Sequence, residues 1–269
     1  MDTTPAPLNA PHRTALITGA TAGIGEEFAE QLAAQGRHLV LCARDAEALA
    51  RVAHRLESRY AVHVETLIGD LLTEEGIAAV EKRLSSDIDP VELLVNNAGF
   101  GLINGFASSE WDDERDHWRI HTEIPLRLMH TAIPAMIQRG GGRIINIASI
   151  AAFTGVSTYS AAKRAIVEFS EYASRRYKER GVSVTAVCPG MTRTSFHERM
   201  NMNVSRVPKI AWLQPEQVVR ESLHASATGK ALCIPSRRYR LVRFLLRFIP
   251  AKTAQKVVAN SASSTKRQL

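Results

Sequence analysis

Along the chain, short apolar and β-branched runs alternate with longer stretches whose apolar positions recur every three or four residues. The short runs fall at 15–18, 38–42, 62–68, 93–96, 143–148, 182–188 and 231–234. The longer ones fall at 25–35, 46–60, 73–85, 110–138, 159–179 and 215–228. A period of two, or an unbroken apolar run, predicts strands, and a period near 3.6 predicts helices. Strict alternation of the two predicts a parallel sheet with helices on both faces. Strands buried on both faces read as continuous apolar segments, and LLVNN, RIINIA and VSVTAVC do so. Thr73 ahead of Glu75 and Gly76, and Pro215 ahead of Glu216, mark helix starts. No repeat interrupts the pattern. It predicts one α/β domain over 12–235, after a short leader at 1–11 and before a C-terminal extension at 236–269.

Composition narrows the class without changing the pattern. A 45% apolar and 23% charged chain of 269 residues is ordinary globular usage, which excludes wholesale disorder. No apolar run is long enough to span a membrane. Cys42, Cys188 and Cys233 lack metal-site spacing and sit in β-like runs, so buried thiols in a reducing, cytoplasmic compartment are expected. The net charge of +7 is unevenly spread: residues 230–269 hold ten Lys and Arg and no acid, whereas residues 1–229 hold 24 bases and 27 acids. Nucleic-acid binding is therefore not expected of the body, and no reader motif is present.

The first strand runs into Thr18-Gly19-Ala20-Thr21-Ala22-Gly23-Ile24-Gly25, followed by a helical stretch. Glycines there allow a tight turn and close backbone approach to a pyrophosphate at a helix N-terminus. At the end of the second strand, an acid would hold the ribose 2′-hydroxyl of NAD. This chain has Ala43 and then Arg44, whose donors suit a 2′-phosphate, so NADP(H) is favoured over NAD(H). The plainer alternative pairs Arg44 with Asp45 or Glu47. Tyr159 and Lys163, four apart at the start of a helical run, share one face. A lysine cation near a phenol lowers its pKa and eases proton transfer in either direction.

Six motifs occur in order: Gly19-x-x-x-Gly23-x-Gly25, Asp70-Leu71, Asn96-Asn97-Ala98-Gly99, Ser149, Tyr159-x-x-x-Lys163 and Pro189-Gly190-x-x-x-Thr194. Together they resemble the short-chain dehydrogenase/reductase family over roughly residues 12–235. The resemblance implies a single doubly wound, Rossmann-type domain with a seven-stranded parallel sheet, usually in a homo-oligomer. It implies that Gly19, Thr21, Gly23, Ile24, Gly25 and Arg44 hold the cofactor, with Asp70 and Leu71 bounding the adenine. It also implies that Asn97, Ala98 and Gly99 line the ribose side, that Lys163 bonds the nicotinamide ribose, and that Pro189, Gly190 and Thr194 hold the nicotinamide. Tyr159 would be the acid/base, Lys163 its tuner and Ser149 the carbonyl binder. Asp70 could equally cap the helix at Thr73, and Asn96 and Asn97 could form a plain polar turn.

Two positions depart from the family pattern. Ser149 and Tyr159 are only ten apart, so the loop 150–158 must be tight, or Ser157 competes for the role of Ser149. The family's mid-helix asparagine, which holds a relay water, is here His121. Imidazole titrates near pH 6.5 and can relay protons. A metal reading of His117 and His121 lacks an acidic third ligand.

The lid position 195–214 carries Phe196, Met200, Met202, Val204, Val207, Ile210, Trp212 and Leu213. With Phe100, Leu102, Ile103, Phe106, Phe153 and Val156, they predict an apolar pocket mouth, although ordinary packing onto the core explains them as well. The tail interleaves Arg240, Arg243 and Arg247 with Leu241, Val242, Phe244, Leu245, Leu246, Phe248 and Ile249. Such a segment suits an anionic membrane surface, or packs against a second copy or the body. Its removal is expected to spare catalysis, since the catalytic candidates lie upstream. The expected activity is hydride transfer between NADP(H) and a lipophilic carbonyl or alcohol. The alternative is an attenuated, cofactor-sensing or membrane-scaffolding protein on the same fold.

Overall fold

The apolar runs condense into one sheet in the computed structural model, which describes residues 13–102, 105–196 and 207–246. Strands β1 (Thr14–Thr18), β2 (Leu39–Ala43), β3 (Val64–Ile68), β4 (Val91–Asn96), β5 (Gly142–Ile147), β6 (Val182–Val187) and β7 (Leu232–Cys233) are all parallel, in the order 3-2-1-4-5-6-7. The order reverses between β1 and β4. A crevice therefore opens at the carboxyl ends of these strands, where doubly wound sheets bind ligands.

Side-chain alternation along each strand feeds two cores. Leu16, Val40, Leu94 and Ile144 point one way, and Ile17, Leu41, Leu93 and Ile145 the other. The first set packs under α3 (Glu74–Ser85), α5 (Ile124–Gln138) and α6 (Thr158–Tyr177) through Ile77, Leu128 and Ile166. The second packs under α1 (Gly23–Ala34), α2 (Ala46–Tyr60) and α7 (Pro215–Ala227) through Phe28, Leu49 and Val219. Each such side chain contributes about 1.5–3 kcal/mol on burial. Cys42, Cys188 and Cys233 are buried free thiols. Helix starts use the expected chemistry: Asp45 Oδ1 accepts from Ala48 N at 2.9 Å, and Thr73 Oγ1 from Gly76 N at 3.1 Å.

The helix expected over 110–138 is not continuous. It divides into α4 (Trp111–Trp118), a π-helical turn (Arg119–Glu123) and α5. Pro125 supplies no amide for the carbonyl four residues back, that of His121, and Ile124 N instead donates to Arg119 O, five residues back. The wide turn delivers His121 to the crevice. Beyond β7, α8 (Arg237–Leu246) turns back over the same end of the sheet. The leader, Ile103, Met200, Met202, Val204 and the tail beyond Leu246 lie outside the described residues.

Candidate active site

The turn after β1 is built by sterics. Gly19 has φ +67°, and a Cβ there would lie 2.9 Å from Ala98 Cα. A Cβ on Gly25 would lie 2.2 Å from Gly19 O, closer than any side chain tolerates. Ala22, at the N-cap of α1, brings no side-chain oxygen to the first-turn amides. Those donors face the crevice at the positive end of the helix, and the residues fit a pyrophosphate. Asn97 works from beneath: its Nδ2 donates to Thr18 O and Gly19 O, both at 3.0 Å. Thr18 Oγ1 in turn accepts from Asn97 N at 3.0 Å and Ala98 N at 3.1 Å. Asn97 thus braces the turn with its amide. Asn96 is interior, donating to Asn146 Oδ1 at 2.8 Å between β4 and β5. Thr21 and Ile24 lie half-buried on the turn, and Ile24 packs on the core.

At the next strand ends, Arg44 pairs with Asp70 at 3.6 Å, rather than with Asp45 or Glu47, and is 74% exposed. Asp70 Oδ1 accepts from Leu72 N at 2.9 Å, and Leu71 is buried in the core. The helix cap is Thr73, so Asp70 forms the turn ahead of it. Across the crevice, the Thr194 methyl touches Gly23, so the loop 189–194 meets the Gly-rich turn directly. Thr194 Oγ1 accepts from Phe196 N at 3.3 Å.

The short Ser149–Tyr159 connection is accommodated by a 3-10 turn at Ile150–Phe153. Ser157 is the N-cap of α6, accepting from Ser160 N at 3.2 Å, which occupies the hydroxyl that could have competed. Ser149 Oγ accepts from Ala151 N at 3.1 Å, and its hydroxyl acts on the Tyr159 phenol in the direction of a lower pKa. Lys163, buried on the same face of α6, donates to Ile147 O at 2.6 Å and lies 5.6 Å from the Tyr159 ring centroid. Desolvation dominates both groups. It pushes the Tyr159 phenol up to about 12 against the Ser149 hydroxyl, and draws Lys163 down to about 7. A phenol lowered by its lysine, as the spacing suggested, is therefore corrected: burial dominates and raises it.

His121 is also corrected. Burial, then the charge of Lys163, holds it well below its ordinary 6.5, so it is a neutral imidazole at pH 7. Its Nε2 faces Phe100 O, a pure acceptor, which assigns the proton to Nε2 and leaves Nδ1 with a buried lone pair unpaired among the described residues. The ring meets Tyr159 edge-on, 5.3 Å between centroids. His117 joins it at 4.6 Å and Tyr159 at 5.8 Å. Desolvation lowers His117 to about 4, and its buried Nε2 has no partner among the described residues. No three His, Cys, Asp or Glu side chains gather as a metal site among the described residues.

The apolar mouth is partly formed. Phe100 lies 5.9 Å from His117 and Phe196 6.3 Å from Tyr159, between ring centroids. Leu213 is instead buried in the core, and Phe106 and Ile210 are largely exposed. Two contributors escaped the pattern reading. His117 had signalled only a metal pair, and Tyr239 of α8 had no signal at all, although its ring packs on Gly190. Helix α8 therefore packs directly against the site. Arg243 likewise turns inward, 4.8 Å from the Phe153 ring centroid.

The family model described as short chain dehydrogenase matches residues 13–205. A 3-oxoacyl-acyl-carrier-protein reductase of Aquifex aeolicus is 27% identical over 214 residues, covering 77% of this chain and 86% of its own. Among solved structures, a short-chain dehydrogenase from Sphingobium yanoikuyae in complex with NADPH superposes with a TM-score of 0.79 at 30% identity, covering 95% of this chain and 96% of that one. A bulky-bulky ketone specific alcohol dehydrogenase from Comamonas testosteroni superposes at 0.76 with 26% identity, covering 96% of each chain.

Proposed function

We propose that this chain, which belongs to the short-chain dehydrogenase/reductase family, uses NADPH to reduce a lipophilic ketone or acyl carbonyl. The observation that carries the reading is buried Lys163 with its Nζ 5.6 Å from the Tyr159 ring centroid, beside Ser149 at the crevice where the loop 189–194 meets the Gly-rich turn. The turn, Arg44 and the loop 189–194 would hold the cofactor, which supplies hydride to the carbonyl carbon when bound. Ser149 binds the carbonyl oxygen. Tyr159, protonated at neutral pH because burial raises its pKa, gives that oxygen its proton as the alkoxide forms. Lys163, near 7, can lose and regain a proton at physiological pH and restore the phenol. His121 Nδ1 offers an acceptor in that relay, as a neutral imidazole.

Ala43 and Arg44 at the end of β2 favour the 2′-phosphate, and an NADPH complex of a neighbour agrees. Phe100, Phe153 and Phe196 favour an apolar substrate, in keeping with relatives named for 3-oxoacyl and bulky-ketone substrates. A homo-oligomer through α5 and α6 is supported by Ala161, exposed beside half-buried Ala165, and by an open groove of about 590 Å³ that includes Leu126, Ile133 and Phe169. Exposed Leu241, Val242 and Leu245 on basic α8 support peripheral contact of a cytoplasmic protein with an anionic membrane. NADPH consumption against ketones of rising chain length, with NADH in parallel, tests the reading. Consumption that grows with chain length and prefers NADPH supports it. NADPH binding without turnover of any ketone favours the attenuated, cofactor-sensing alternative.

A further inference from the structure

Helix α8 reaches three walls of the crevice. The Tyr239 ring lies against Gly190 so closely that a Cβ there would sit 1.9 Å from its Cζ. The Tyr239 hydroxyl donates to Ala211 O at 2.7 Å and accepts from Met191 N at 3.1 Å. Met191 and Ala211 are two necks, one on each side of residues 197–206 in the chain. The two segments also meet through the backbone at Leu213, whose N donates to Met191 O at 2.7 Å and whose O accepts from Arg193 N at 3.0 Å. Arg238 donates to the carbonyl of Ile210 beside them, and Arg243 covers Phe153.

The helix is itself anchored. Buried Ser236, at φ +78°, donates its amide to both carboxylate oxygens of Glu221 on α7, at 3.1 and 3.2 Å. Arg240 pairs with the same carboxylate at 3.5 Å. A left-handed serine persists only where surrounding contacts hold it. Glu221 supplies them.

We propose that Tyr239 is a positioning residue of the reductase, its hydroxyl clasping the necks at Met191 and Ala211 and its ring fixing the seat of Gly190. The loop 189–194 then stands at the height that brings Thr194 onto Gly23. This rests on the reductase reading above. A phenol needed only for packing would not require one partner on each neck. Glycine at 190 is explained by the same contact, since any side chain would expel the ring.

Hydrogen exchange on the cofactor-free full chain reads the clasp without reference to activity. Tyr239→Phe keeps the ring and removes both hydrogen bonds. The expected result is faster exchange at the Met191 amide, by about fivefold for one lost hydrogen bond, with a native far-UV spectrum and little change in melting temperature. In steady-state assays, KM for the ketone rises by a similar factor and kcat changes little. Gly190→Ala weakens NADPH binding in the native background but adds no further loss to Tyr239→Ala, because the ring it displaces is gone. Unchanged exchange at Met191 in Tyr239→Phe, or additive losses in the double variant, would overturn the proposal. A chain that turns over no carbonyl sinks the reductase reading alone, since the exchange result stands without it.

Discussion

The two halves of the crevice are built on opposite terms. On the phosphate side, each brace is a backbone contact or a paired amide: Asn97 holds Thr18 and Gly19, Thr18 holds Asn97 and Ala98, and no side chain fits at Gly25. On the chemical side, titratable groups are buried with their ionised forms disfavoured, and His117 Nε2 and His121 Nδ1 lack partners among the described residues. Binding a rigid anion calls for a fixed shape, which hydrogen bonds and sterics supply. Moving a proton calls for a group near the edge of ionisation, which burial supplies at Lys163 by drawing it down to about 7. The two halves meet at Gly99, where a Cβ would lie 2.3 Å from His121 Cε1.

The largest effect is expected where the phosphate side cannot yield. Gly25→Ala places a methyl against the carbonyl of Gly19, with no flexible side chain to move aside. Calorimetry should show a loss of about 3 kcal/mol or more, with NADPH binding gone. Wild-type stability would place slack in the turn and erase the contrast.

Acid tests the other half. His117 is lowered to about 4 and His121 well below 6.5, so the unfolded chain takes up protons near pH 6.5 that the folded chain refuses. Stability is therefore complete above about pH 6.5 and declines as pH falls below it. By pH 5, His117 alone costs roughly 2 kcal/mol. Urea midpoints between pH 7 and 5 check this, and His117→Asn should flatten the slope.

A smaller and more selective effect is expected at the junction. Gly99→Ala should cost about 1–3 kcal/mol, much of it recovered when His121→Ala makes room. A thermal-shift double-mutant cycle reads that coupling, and additivity would separate the halves. The smallest effect belongs to Arg44, exposed and already paired with Asp70. Arg44→Ala should narrow the NADPH-over-NADH ratio of Kd by about tenfold for one charge-assisted contact, measured by fluorescence titration. Equal wild-type affinities would contradict it.

The same contrast governs what the amino-acid order disclosed. The strands were legible because burial on both faces demands unbroken apolar runs, and 46–60 was legible as a helix because its apolar period is clean. Gly19 and Gly25 were legible because sterics restrict the residue type. The π turn was not, since the apolar period runs on through 110–138 and does not mark the break that Pro125 makes inside it. The pKa of Tyr159 was misjudged because spacing reports the lysine four residues on, whereas the dominant effect is desolvation by packing from elsewhere. Tyr239 was illegible for a similar reason. Its partners Gly190, Met191 and Ala211 are 28 residues away or more, and nothing local marks it.

The central claim is that Tyr159 gives the proton and the phosphate side binds independently of it. The most direct measurement compares Tyr159→Phe with the native chain, reading single-turnover NADPH consumption on a bulky ketone beside NADPH affinity by titration. The account predicts turnover reduced by about a hundredfold or more, the usual worth of a positioned acid, with Kd for NADPH within about twofold, well under one hydrogen bond. Turnover close to native in Tyr159→Phe, or an affinity that collapses with it, would contradict the account.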